Sequence, residues 1–467
     1  MPVYTKHPDY IANSEEWKVV RDAIAGQRAI KKAGRKYLPA AFADDDSKRY
    51  AQYIERAYYQ NVTGRTQGAL LGLAFRVLPK FDLPAAMIGI KENADGSGHS
   101  LYQLAKKSVG DVLATGRYGF LADYPRAEQA DSLAAEIAMG LRATVTGYSA
   151  EDIINWRTVP ADGGGQILTL VVLKEDIAYQ GRDEFEQKTG SVYRVLRLRP
   201  EGYTQELRNS KDEVVEAERL VTVAGRRPMM HIPFHFAGAL DNFPNPDKAP
   251  LADIAWLNIS HYQSTAELKE NEFFSAQGTV HLDIGTMGVD EFNKANPGGV
   301  KIGVRSGIVT SGGGRISLVQ GDSRQSHILS TMDREERQMV SIGARLSGAG
   351  RPNETAEAAR IHAAADTATL GGIVENVSEA MEAALEDAAR FHGSDTGEVS
   401  VLFDRDFWAT GITAQQLQAI IGGIGKAYAV EDALEMIRTG KIHIRETREN
   451  SDIIEDAALD ALDQGID

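Results

Sequence analysis

Several short stretches of this 467-residue chain hold residue types that chemistry uses. GGIGKAY, Gly422 to Tyr428, ends like a phosphate loop, in which backbone amides cradle phosphates while a lysine and a Ser/Thr hydroxyl serve the terminal phosphate and Mg2+. Here Ile420 stands where the first glycine belongs and Ala427 follows Lys426, so the tight turn and the hydroxyl are both missing. SGGGRI (Ser311 to Ile316) and DGGGQI (Asp162 to Ile167) lie among strand-like segments without a strand–turn–helix context. They are read as turns, where glycine takes positive φ without steric cost. KENADGSGHSLY places Lys91 where a calcium loop needs its first carboxylate. His231 and His235, four apart in a strand-like stretch, are read as a structural pair rather than as metal ligands. HExxH and GxSxG are absent, and zero cysteines exclude disulfides, thiolate zinc sites and cysteine nucleophiles. The expectation is no catalytic residue, no metal, no cofactor and no enzyme. A phosphate-ligand-binding enzyme built on the glycine turns stays as the weaker alternative.

The chain carries 51 Lys and Arg against 66 Asp and Glu, a net charge of −15. That argues against a protein that wraps nucleic acid by counterion release, but not against one that lets nucleic acid slide past. MPVYTKHPDYIANSEEW has no basic stretch followed by an apolar core, so no signal peptide is expected. The most apolar run, GALLGLAFRVL, is cut by Arg76, so no membrane partner is expected either.

The elements that would position any site change type along the chain. SEEWKVVRDAIAG spaces Trp17, Val20, Ala23 and Ile24 helically, with Ser14 as N-cap and Gly26 as stop. SKRYAQYIERAYYQN and SLYQLAKKSVGDVLATG read as further helices, and GFLADYP as a strand stopped by Pro125. From about Asn155 the period becomes two: QILTLVVLKEDIAYQ, SVYRVLRLRP and ERLVTVAG form an antiparallel meander, which IPFHF is expected to close. Pro250 suits a helix start, and the next helix carries Leu251, Ala255, Tyr262, Ala266 and Phe273 as one apolar stripe. A glycine-punctuated β block follows, then a helix over Ser326–Leu346, the turn GAGRPN, and a helix over Glu354–Phe391. That last helix would span roughly 57 Å at 1.5 Å per residue, with Gly371-Gly372 as a kink point. EVSVLF reads as a strand, two short helices come next, and the tail from Lys441 has three basic against eight acidic residues.

Helix, β block, helix is an out-and-back path, so its two helices must run antiparallel. Such a hairpin has little core of its own, and its stripes would bury against neighbouring copies in a ring or bundle.

Four segments in order, RAYYQNVTGRTQGALLGLAFR (Arg56 to Arg76), VLATGRYGFLADYP (Val112 to Pro125), YSAEDIINWR (Tyr148 to Arg157) and APLADIAWLNISHYQSTAELKE (Ala249 to Glu270), resemble the portal proteins of tailed bacteriophages. The resemblance covers most of the chain and weakens after about Arg390. It implies an elongated α+β portal fold with wing, two-helix stem, β-rich clip and short helical crown, assembled as a ring. Mapped onto this sequence, the wing takes 1–250, the first stem helix 251–276, the clip 277–325 and the second stem helix 326–346. The tunnel loop takes 347–355, the long wing helix with a C-terminal wing strand 356–429, and the crown with its acidic tail 430–467.

The implied role is a DNA conduit at one capsid vertex for genome packaging and ejection, in the virion and assembled in the host cytoplasm. The implied partners are other copies of the chain (twelve in a typical ring), double-stranded DNA, the terminase large subunit, a head-completion, adaptor or tail protein, and the major capsid and scaffold proteins. A virion scaffold ring without a channel is the alternative. In the tunnel loop Ser347, Gly348, Ala349 and Gly350 give backbone freedom, while Asn353 caps the long helix. Arg351 either touches phosphates or is a charge before a helix start. Lys294, Lys301, Arg305 and Arg315 in the clip face DNA, terminase or adaptor. Twelve copies would carry about −180 in formal charge, which requires counterions or basic partners.

Overall fold

The computed structural model of the protein describes residues 1–40, 47–125, 142–161, 163–180, 183, 185–224, 227–276, 279–286, 288–295, 297, 314–319, 325–347 and 368–404. All of these except Asp404 belong to one unit, Met1–Ala349 with Asp366–Phe403. Helix α1 (Pro8–Ala25) begins well before the expected cap at Ser14. Pro8 suits the first turn, where a missing N–H costs nothing, and His7 Nδ1 accepts from the Asp9 amide at 3.2 Å. Ser14 therefore lies inside the helix, its hydroxyl turned back to the Ile11 carbonyl. Gly26 (φ 85°) ends the helix as expected. Helices α2 (Gln27–Ala33), α3 (Ser47–Arg56) and α4 (Val62–Ala74) follow.

Helix α5 (Leu101–Thr115) shows how local signals set an element. Ser100 Oγ accepts from the Gln103 amide, and Gln103 Oε1 accepts from the Ser100 amide, a reciprocal capping box. Gly116 closes it in the left-handed region at φ 72°, and a Cβ there would lie 2.4 Å from the Asp247 carbonyl oxygen.

Strand β1 (Lys80–Asp82) pairs with β14 (Ser400–Leu402), which lies in the expected EVSVLF stretch. Strand β2 (Arg117–Asp123) is central in a three-stranded antiparallel sheet, between β3 (Thr144–Ser149) and β11 (Phe234–Gly238). IPFHF thus joins this sheet rather than closing the meander. The meander itself is a five-stranded antiparallel sheet of β4 (Ile153–Pro160), β5 (Gln166–Gln180), β6 (Gln187–Arg199), β7 (Gly202–Asn209) and β8 (Val214–Leu220). DGGGQI falls at its β4–β5 turn, where Gly164 and Gly165 both have positive φ. A small pair, β9 (Thr222–Val223) and β10 (Arg227–Pro228), follows.

Beyond the meander come helix α6 (Ala252–Ala276), strand β12 (Thr279–Asp283), the short helix α7 (Val289–Ala295), strand β13 (Arg315–Val319), helix α8 (Gln325–Ser347) and helix α9 (Ala368–His392). The β block thus contains one helical turn pair, α7, that its glycine pattern does not announce. The expected helix over Glu354–Phe391 is described from Ala368 onward and runs through Gly371-Gly372 as one element. Its earlier part lies outside the described residues, as do the two expected C-terminal helices and the acidic tail. Leu370, Ile373, Val374, Val377, Met381, Ala384, Leu385 and Ala388 recur at helical spacing and are all buried, packed on β2, β11 and α5. Among the described residues no helix is long and apolar enough to cross a membrane.

Two charged nodes bind these layers. Arg21 on α1 donates to both Glu151 oxygens, at 2.9 and 3.1 Å, and to Asp111 on α5. Beside it, burial raises the Asp152 carboxyl to about 6, with Glu151 adding to the rise. A folded-state value above the unfolded one means that the native state holds this proton more tightly, so stability is lost as pH rises from about 4 through about 6. Asp152→Asn should therefore match the parent near pH 4 and exceed it at pH 7 by roughly 1 kcal/mol, after discounting for partial exposure. Urea titrations at the two pH values check this. The second node is Arg117, 1% exposed, whose guanidinium lies 3.8 Å from the Trp156 ring centroid and 4.6 Å from that of Phe236. Among the described residues none of its side-chain nitrogens has a hydrogen-bond partner, and burial pulls it down to about 9.

Candidate functional site

Helices α6 and α8 pack side by side, and their contacts run in opposite directions. Gly343 backs onto Ile254, the Ser260 and Ser264 hydroxyls donate to Glu335 at 2.6 and 3.1 Å, Thr279 pairs with Val319, and Asp283 with Arg315. The expected out-and-back hairpin is present, with the β12–β13 ribbon continuing the two helices.

Its root is fixed by polar groups that helix periodicity alone does not reveal. Asn258 of α6 is fully buried, and its Oδ1 collects the Val62 and Thr63 amides, the Thr63 hydroxyl and the Tyr59 hydroxyl. Its Nδ2 donates to the Gln60 carbonyl at 2.8 Å. One side chain of the hairpin thus satisfies the first amides of α4, which otherwise lack helical partners. Arg56 pairs with Glu270 and lies 4.1 Å from the Phe273 ring centroid, and Gln263 donates to the Tyr37 carbonyl. Of the expected stripe, Leu251, Ala255, Tyr262 and Ala266 are buried, whereas Phe273 is 39% exposed.

The outer helix is thinly covered. Glu335 and Met339 are the only buried side chains among those described on α8, while Val340 is 69% and Leu329 46% exposed. On α6, Trp256 is 49% exposed. Inside the hairpin His261 is 3% exposed and 3.3 Å from a Glu336 carboxylate oxygen, with neither ring nitrogen in hydrogen-bonding geometry.

The sequence-derived site residues divide between described and undescribed parts of the chain. Ser347 is the last residue of α8 rather than part of a loop. Gly348, Ala349, Gly350, Arg351 and Asn353 lie outside the described residues, as do Lys301 and Arg305. Lys294 is exposed on α7, and Arg315 is exposed at the start of β13 opposite Asp283. GGIGKAY also lies outside the described residues.

A second constellation was half visible in the sequence. His231 Nε2 and His235 Nε2 meet the two carboxylate oxygens of Asp387 on α9, at 2.8 and 2.7 Å, and Arg390 pairs with the same carboxylate. Asp387 is fully buried. Although burial alone would raise its pKa, the two imidazole hydrogen bonds hold the carboxyl well below the usual range. Spacing pairs the two histidines, but no local pattern points to an acid more than 150 residues away. Nitrogens and oxygens touch here as donors and acceptors. Among the described residues no cluster of His, Cys, Asp or Glu could hold a metal.

Residues 250–392, the hairpin and α9, match a family described as "Domain of unknown function (DUF4055)". No curated protein matches the chain. Three solved structures contain similar chains. One, titled "Virion of native gene transfer agent (GTA) particle", is 12% identical with a TM-score of 0.43, covering 89% of this chain and 99% of that one. A second, "Neck of native GTA particle computed with C12 symmetry", is 12% identical with a TM-score of 0.43, over 80% and 89%. The third, "Neck of empty GTA particle computed with C6 symmetry", is 13% identical with a TM-score of 0.45, over 87% and 98%.

Proposed function

We propose that this chain is the portal subunit of a tailed phage or phage-like particle. Copies close into a ring at one capsid vertex, and the genome is packaged and ejected through the ring's centre. The hairpin is its stem and the β12–β13 region its clip, on which a terminase and a head-completion or tail protein dock. The channel-facing segment follows Ser347, at 348–355. The protein is a passive conduit, and the motor's ATP chemistry belongs to a separate chain.

The observation that supports this reading is the hairpin, whose outer helix leaves Val340 and Leu329 exposed among the described residues. Apolar side chains left open in this way gain burial from a neighbouring molecule, and a head-to-tail contact that closes on itself makes a ring. The order of the four resembling segments gives that other molecule its identity, a further copy of the chain.

Negative-stain images of the purified protein test the reading: rings with a central hole of duplex width are expected. A strict monomer at high concentration, or ATP hydrolysis at motor-like rates, would overturn it. A closed ring without a hole would instead favour a scaffold role. Val340→Glu places a charge on the most exposed apolar position among those described on α8. It should leave the circular dichroism spectrum unchanged while shifting mass photometry from rings to monomers. Rings persisting in this variant would remove α8 from the interface.

A further inference from the structure

We propose that the hollow between α9, the β4–β5 turn region and the loop after β11 is a docking pocket for a lysine or arginine side chain, carried on a basic segment of a partner protein. The hollow has a volume of about 420 Å3. Phe234 and Phe236 of β11 and Phe243 of the following loop line it, with Glu379 of α9 among the polar groups, and no lysine or arginine is among the described lining residues.

The chemistry follows from these groups. Aromatic rings attract cations through their negatively charged faces, and an adjacent carboxylate adds a full charge. The Phe236 ring already carries the Arg117 guanidinium 4.6 Å from its centroid, so the exposed Phe243 ring is the one open to a guest. Behind the pocket wall Asp387 is already paired with Arg390, so the negative charge that meets a guest is that of Glu379. A wholly apolar guest would cover Glu379 without a counter-charge, and an acidic one would meet like charge.

The pocket is also held open in advance. Phe243 is 67% exposed, yet the loop carrying it is pinned at several points. Asn242 Nδ2 donates to the Asn376 carbonyl and to Glu379, Asn376 Nδ2 donates to the Gly238 carbonyl, and Asp247 accepts from the Leu240 amide at 2.8 Å. The Phe243 amide donates to Asp241 at 2.9 Å. A guest would meet an aromatic wall that needs no ordering, which lowers the cost of binding. This inference does not rest on the portal reading.

The experiment titrates the full chain at low salt, by calorimetry, with acetylated and amidated tri-arginine, tri-lysine and tri-glutamine peptides. Saturable binding of at least one basic peptide is expected, with one site per chain and none for tri-glutamine. Phe243→Ala and Glu379→Gln should each weaken it about fivefold or more, whereas Glu92→Gln, the same charge change at an exposed position elsewhere, should leave it unchanged. Equal weakening by Glu92→Gln would reduce the effect to overall charge. Absence of saturation, equal binding of tri-glutamine, or no effect of Phe243→Ala would each overturn the proposal. Phe243 and Glu379 are both exposed, so neither variant removes core packing, and circular dichroism of each checks that the fold is kept.

Discussion

Asp387→Asn should lower unfolding free energy by about 3–5 kcal/mol at neutral pH, among the largest effects of any single conservative change in this chain. The carboxylate is fully buried and accepts from three donors: His231, His235 and Arg390. The amide keeps the shape but turns an NH2 toward at least one of those donors, and it leaves the Arg390 charge without this partner. The sign with pH is fixed. A carboxyl held below its ordinary value of 3.8 contributes stability that is fully present above that value and is lost as pH falls below it. Parent and variant should therefore differ throughout pH 5–8 and converge in acid. Chemical denaturation at stepped pH reads this directly, and a neutral-pH difference under about 0.5 kcal/mol would show that the cluster does not carry stability.

Asn258→Leu should cost about 3 kcal/mol or more, and its effect should be local before it is global. The substitution preserves approximate volume but strands the Val62 and Thr63 amides, the Thr63 hydroxyl and the Gln60 carbonyl. Each buried group left unpaired costs about 1–3 kcal/mol, and the terms are not additive. The Tyr59 hydroxyl keeps a second acceptor, the Ala23 carbonyl at 3.0 Å. Hydrogen exchange should accelerate first at the start of α4, while α9 amides stay protected. Uniform acceleration across both helices would mean that Asn258 supports the whole core and is not a tie between α4 and the hairpin.

Local signals in the sequence were readable wherever the cause was local. Ser100 and Gln103 mark the start of α5 because both partners of the capping box lie within one turn, and Gly26 and Gly116 mark stops because the backbone there takes positive φ. The hairpin was readable because its two helices keep a helical period and the strands β12 and β13 interrupt it. Pairing was not readable. IPFHF continues the meander's alternation, yet it pairs with β2, more than a hundred residues earlier, because alternation sets which face is buried and does not name the partner strand. Asp387 was invisible for a related reason: on α9 it is one of five carboxylates, and only tertiary packing sets it against two histidines. Phe273 continued the stripe of α6 but stands half outside, because the core it would join ends at Arg56.

The rungs between α6 and α8 leave one degree of freedom open. Ser260 and Ser264 are one helical turn apart, and both donate to the same carboxylate, Glu335. Sliding α8 by one turn, about 5.4 Å, would keep one of these two hydrogen bonds. The polar rungs therefore behave like evenly spaced notches and do not by themselves define where the helix stops. That role falls to Met339, buried at 1% exposure, and to the ribbon, where a one-residue slip would invert every side chain. In this hairpin the strands at the far end act as the index mark against which the helices are aligned.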